Sequence, residues 1–140
     1  MPDSSPFSAS PLWDMTPLPT MLFDSDARHA ACLAAQLEGE GLPVEVTAST
    51  PALLELVRKK RFRTLFVVTD IDDVASLKIL GDVRRAAPNS WLIAISQRTD
   101  ADGLAVVRRQ GVDALVRAPV SISDLFTQLA TLQVRSRPRS

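Results

Sequence analysis

The sequence predicts an α/β domain: a five-stranded parallel sheet in the order 2-1-3-4-5, with helices on both faces. Three observations carry this. Between residues 20 and 133 the apolar pattern switches five times from a short continuous run to a helical i, i+3, i+4 stripe. The connections are short, so right-handed crossovers must return the chain to one sheet. The central runs are apolar without interruption, as strands covered on both faces are. In this layout the first and third strands are neighbours, and ligands usually sit at their C-terminal edge.

Each element has its own signal. Met21-Leu22-Phe23 is the first strand, and Ala30, Leu33, Ala34 and Leu37 recur at helical spacing until Gly39 and Gly41 stop the helix. Val44 and Val46 mark the second strand. Thr50 before Pro51 is read as the start of the next helix, because the hydroxyl can cap free amides and an early proline sacrifices no hydrogen bond. Leu53, Leu54 and Val57 form its apolar face. Leu65 to Val68 is the third strand, followed by the stripe Leu77, Leu80, Val83 up to Pro88. Trp91 to Ile95 is the fourth strand, ending at Ser96, with Trp91 assigned to packing. Thr99 and Asp102 have the spacing of a capping box, and Leu104 and Val107 face inward before Gly111. Val112 to Val116 is the last strand. Ser121 with Asp124 repeats the cap, and Ile122, Leu125, Phe126, Leu129 and Leu132 make the cleanest amphipathic stripe.

Domain limits follow from composition. Five of the ten prolines lie within residues 1–19, among serines and threonines, which predicts a disordered arm there, with Trp13 and Leu18 as its apolar residues. Residues 20–133 are the foldable domain, and 134–140 a basic flexible tail. Sixteen basic residues balance sixteen acidic ones, so nucleic acid is not an expected partner. The run Arg58 to Arg63 is read as a solvated helix end favoured by the helix dipole. No apolar stretch is long enough to span a bilayer and the first residues lack a signal pattern, so a cytoplasmic location is expected. Cys32 is read as a small buried hydrophobe, and His29 as an exposed polar residue without a partner.

The candidate site is acidic. Asp24 and Asp26 follow the first strand, and Asp70 follows the third. Neighbouring strands are about 5 Å apart, so these carboxylates can approach one another, and Mg²⁺ is the usual ion to hold such oxygens together. Asp24 and Asp70 are the metal candidates, with the site weak or vestigial. Asp26 is assigned first to capping the first helix, as Asp72 and Asp73 are to the third.

Taken together, these residues resemble the receiver domain of two-component response regulators, the CheY-like family with its flavodoxin-like three-layer sandwich. Asp24 stands at the first acid of the family's opening motif, with Ser25 where a second acid belongs. The resemblance implies that Asp70 is the phosphoacceptor, with Thr69 as a competing match one residue earlier, and that Ser96 is the switch hydroxyl. Gly111 to Val120 is similar to the segment carrying the family's lysine and proline. Pro119 is kept, Ala118 replaces the lysine, and Leu115 replaces an aromatic residue. Losing one charged partner costs roughly a few kcal/mol in the transition state, on the order of a hundredfold in rate. Arg117 is expected to face away, because successive strand residues alternate.

The expected function is therefore that of an atypical receiver, not an enzyme, which binds proteins or dimerises. It would require no cofactor, and Mg²⁺ is the one candidate. The resemblance implies a partner such as a histidine kinase, an output protein or another regulator, met through the fourth helix, fifth strand and fifth helix. The alternative is a phosphorylatable regulator accepting a phosphoryl group on Asp70 with Mg²⁺. A nucleotide enzyme on the same architecture is disfavoured, since no glycine follows the first strand until Gly39.

Overall fold

Strand and helix alternate strictly along the chain in a computed structural model that describes residues 20–119 and 121–135. The elements are β1 (Thr20–Phe23), α1 (Ala27–Gly39), β2 (Val44–Thr47), α2 (Thr50–Lys59), β3 (Thr64–Val68), α3 (Val74–Ala86), β4 (Trp91–Ser96), α4 (Ala101–Arg109), β5 (Ala114–Arg117) and α5 (Ile122–Arg135). The sheet order is β2-β1-β3-β4-β5, with every pair parallel, as the sequence predicts. The arm with Trp13 and Leu18, Val120 and residues 136–140 lie outside the described residues. Helix α5 continues to Arg135, past the expected start of the tail.

Alternation along the strands builds two cores. Met21, Phe23, Leu65, Val67, Leu92 and Ala94 meet Leu53 and Val57 of α2, Leu80 and Val83 of α3, and Val107 of α4. Leu22, Phe66, Ile93, Ile95 and Val116 meet Leu33, Ala34 and Leu37 of α1, and Leu125 of α5. Helices α2, α3 and α4 thus cover one face, and α1 and α5 the other. Trp91 is buried in the second core, as expected. Cys32 corrects the reading: it is exposed, because the buried stripe of α1 runs through 30, 33, 34 and 37 and turns position 32 outward. Among the described residues no helix is long and apolar enough to cross a membrane.

The caps fix how each helix leaves the functional edge. Asp26 accepts the Arg28 and His29 amides at 3.1 and 3.2 Å, Asp73 accepts the Ala75 amide at 3.1 Å, and Ser121 accepts the Asp124 amide at 3.0 Å. Two caps differ by one residue from the sequence reading. Ser49, not Thr50, holds the extended cap conformation of α2 and accepts the Ala52 amide at 3.3 Å. Asp100, not Thr99, caps α4 through the Gly103 amide at 3.1 Å.

Asp100 has a consequence for pH. The Gly103 amide, and then the Arg98 guanidinium, hold its carboxyl below the usual carboxylate range. A depressed carboxyl contributes stability above its ordinary pKa and loses it as pH falls through the folded value. The stability difference between wild type and Asp100→Ala in urea should therefore narrow as pH falls from about 5 to about 3. A constant difference across that window would contradict the assignment.

Candidate functional site

The end of β1 is built around Asp24. Its amide donates to Thr47 O at 3.2 Å, which extends the pairing with β2 and keeps the residue on the sheet. The side chain is buried, so both carboxylate oxygens need partners. Oδ1 accepts the Asp26 amide at 2.9 Å, and Oδ2 meets Nδ1 of His29 in the first turn of α1. A carboxylate can only accept, so the imidazole N–H is the donor. This corrects the expectation that His29 has no partner. The Asp26 cap starts the helix so that the residue three positions later faces back to the strand end. No repeating pattern in the sequence signals this contact, because the turn between β1 and α1 sets it.

The end of β3 is split between two residues. Thr69 is buried and continues the strand: its amide donates to Ile95 O at 2.8 Å and its hydroxyl to Val67 O at 3.1 Å. Asp70 is exposed, and its Oδ1 accepts the Asp72 amide at 3.0 Å while its carbonyl accepts from Asp73. Register pairs Phe23 with Val67, so Asp24 stands abreast of Val68 and Asp70 lies two residues further along. Asp24 and Asp70 thus share the C-terminal edge of adjacent strands, each with an oxygen committed to its own turn.

That commitment bears on Mg²⁺, which demands a near-octahedral oxygen shell. Among the described residues no three His, Cys, Asp or Glu side chains come together as a metal site. Asp24 and Asp70 are the carboxylates that would hold such an ion, with waters completing the shell.

The other walls come from β4 and β5. Ser96 is buried, accepts the Arg98 amide on its hydroxyl at 3.1 Å, and accepts the Ala118 amide on its carbonyl at 2.8 Å. Ala118 is half-buried against the core that contains Leu22, Phe66 and Ile93, and the Ala118–Pro119 peptide is cis. Arg117 is exposed, as strand alternation requires. The cation fixed at this edge is Arg98, which the sequence reading missed. Its guanidinium reaches Asp72 at 2.6 Å and Asp100 at 3.0 Å, tying the β3–α3 loop to the cap of α4. Asp100 first, and then Asp72, raise its pKa above the ordinary arginine value.

No family model matches the sequence, and no curated protein is detectably related to it. Solved structures are similar throughout. A CheY-like response regulator receiver domain protein from Methanospirillum hungatei is 21% identical with a TM-score of 0.69, covering 84% of this chain and 95% of that one. The chain has the receiver-domain fold. A pilus assembly-related protein from Burkholderia pseudomallei shares the receiver fold at 20% identity and a TM-score of 0.68, covering 88% of this chain and 94% of that one. A response regulator from the same species, solved with a phosphorylated aspartic acid, a calcium ion and citrate, is 16% identical with a TM-score of 0.66, covering 84% of this chain and 72% of that one. In receiver-fold terms, the edge described above is walled by Asp24, Thr69, Ser96 and Ala118, with Asp70 on its rim.

Proposed function

We propose that this receiver-fold domain is a signal-transduction module that works by binding proteins, not by accepting a phosphoryl group through the usual aspartyl mechanism. The observation that carries the reading is Ala118. Where the resemblance implies a lysine opposite the acids, the chain carries a methyl group packed against apolar side chains. Ser25 and Thr69 point the same way, each supplying a hydroxyl where a full carboxylate charge would help hold a cation. No Mg²⁺ is required for this role. Its partners are a histidine kinase, an output protein, another regulator or a second copy, met through α4, β5 and α5. That face exposes Ala105, Arg108, Arg109 and Arg117. The pilus assembly-related neighbour supports a use of this fold outside the proteins described as response regulators.

The second reading is phosphorylation of Asp70 with Mg²⁺ and Ser96 as switch hydroxyl. The solved neighbours favour it, one carrying a phosphorylated aspartate and another solved in a beryllofluoride-activated form. The local chemistry of the site weighs against it. Incubation with acetyl phosphate and Mg²⁺, read by intact mass, should yield no stable phosphoryl adduct. An adduct that disappears in Asp70→Asn would establish the second reading instead.

A further inference from the structure

Helix α3 carries an outward stripe that the site does not use. Val74, Lys78, Asp82 and Ala86 recur every four residues along the helix; Val74 and Lys78 are exposed, while Asp82 and Ala86 are half-buried toward α2. Val74 is 80% exposed, which is unusual for a β-branched apolar residue. Beside the stripe, a groove of about 430 Å³ runs between α2 and α3, lined by Leu54, Arg58, Lys78, Asp82, Arg85 and Ala86. Its floor is apolar, from Leu54 and Ala86, and its rims are cationic. Arg58 is exposed and has no ion pair among the described residues, while Lys78 and Arg85 share the single carboxylate of Asp82.

The order of residues on this stripe is self-complementary. Read from either end, it runs apolar, charged, oppositely charged, apolar. If two copies of α3 lie antiparallel about position 80, Val74 of each faces Ala86 of the other, and Lys78 of each faces Asp82 of the other. The same apposition carries the exposed acids Asp70, Asp72 and Asp73, just ahead of α3, toward the Arg58 and Arg85 end of the opposite groove. A two-fold axis satisfies both halves with one surface, which is the commonest way soluble chains pair.

We infer that the α2–α3 face is a homodimer interface, in which Val74 of each copy seats on the Leu54–Ala86 floor of the other, flanked by reciprocal Lys78–Asp82 pairs. The occupant is a second copy of this chain, chosen over an unrelated acidic partner because one stripe supplies both the apolar knob and the matching charges. Each Asp82 already has Lys78 and Arg85 as neighbours, so dimerisation exchanges one lysine for another and leaves no charge unpaired. The contact is small and mostly charged at its rim, so the dimer is weak and sensitive to salt. It leaves α4, β5 and α5 free, and so stands or falls apart from the proposed partner face.

Sedimentation velocity of the full chain at low salt, across a rising concentration series, is the test. A monomer–dimer equilibrium is expected, with dimerisation weakened about tenfold or more by Val74→Glu. Lys78→Glu alone and Asp82→Lys alone should each be monomeric, since each sets like charges against each other across the axis. An equimolar mixture of these two variants should dimerise again, because antiparallel apposition then restores opposite charges at both contacts. Val74 and Lys78 are exposed and Asp82 is half-buried, and circular dichroism checks that each variant is folded. A chain that stays monomeric at every concentration overturns the inference. So does a dimer indifferent to Val74→Glu, or a failure of the mixed variants to pair.

Discussion

Arg84→Met should be among the most destabilising single changes in the chain, at about 3–5 kcal/mol in urea. Arg84 leaves the last turn of α3 and spreads its guanidinium between two loops, one after α3 and one before β5. Nε donates to Gly111 O at 2.9 Å, and Nη1 to Ala87, Pro88 and Ser90 carbonyls at 3.2, 3.0 and 3.0 Å. Nη2 reaches Asp113 at 2.8 Å, and the same Asp113 oxygen accepts the Leu92 amide at 2.9 Å. The two side chains are only 14% and 17% exposed, so methionine would leave a half-buried carboxylate and a row of carbonyls without this donor. Arg84→Lys should recover only part of the loss, because one ammonium cannot span five acceptors in a planar fork. A loss below about 1 kcal/mol for Arg84→Met would show that water replaces the clamp without cost.

This clamp also shows where sequence reasoning stops. The strands were legible because Leu65 to Val68 and Trp91 to Ile95 are continuously apolar, as strands covered on both faces are, and their order followed from the layout that five strand-helix units of this size adopt. The α3 stripe of Leu80 and Val83 was legible from its helical spacing, but nothing in the period of a pattern says that Arg84 will cross to the loop before β5. Caps were legible to within one residue. Ser49 and Thr50 are both good caps, as are Thr99 and Asp100, and the choice is made by which of the two adopts the extended backbone. Gly111 is a case where the sequence signal was sufficient: it ends the α4 segment at φ +92°, and an added Cβ would lie 2.7 Å from the Arg84 side chain.

The candidate site divides along the same line. Asp24, Asp70, Ser96 and Ala118 were placed at one sheet edge because each closes or follows a strand. The partners they take there were not legible. His29 reaches Asp24 across a helix cap, and Arg98 joins Asp72 to Asp100 across two loops, contacts set by turn geometry that leaves no period in the sequence. The different positions of Thr69 and Asp70 likewise come from register. Thr69 keeps the strand's hydrogen bond to Ile95 and sits beside Ser96, whereas Asp70 has already turned into the loop.

That register leads to the prediction with the largest effect on chemistry. Combining Ser25→Asp, Thr69→Asp and Ala118→Lys should raise phosphorylation by acetyl phosphate and Mg²⁺ by about a hundredfold or more over wild type. An acid at 69 would stand in the strand row next to Ser96, a second acid at 25 would add the cation-holding charge next to Asp24, and a lysine at 118 would place its ammonium opposite both. Ala118 is half-buried, so the lysine stem can lie along the apolar core edge while its charged end extends into the cleft. Mass mapping should find the phosphoryl group on the introduced aspartate at 69, and Ala118→Lys by itself should gain little, because the ammonium would have no acceptor carboxylate in the row. Labelling of Asp70 in the wild type as extensive as the labelling at 69 in the triple variant would refute this account. It would mean that the exposed loop acid is a competent acceptor without the lysine, and that the missing positive charge does not limit the reaction.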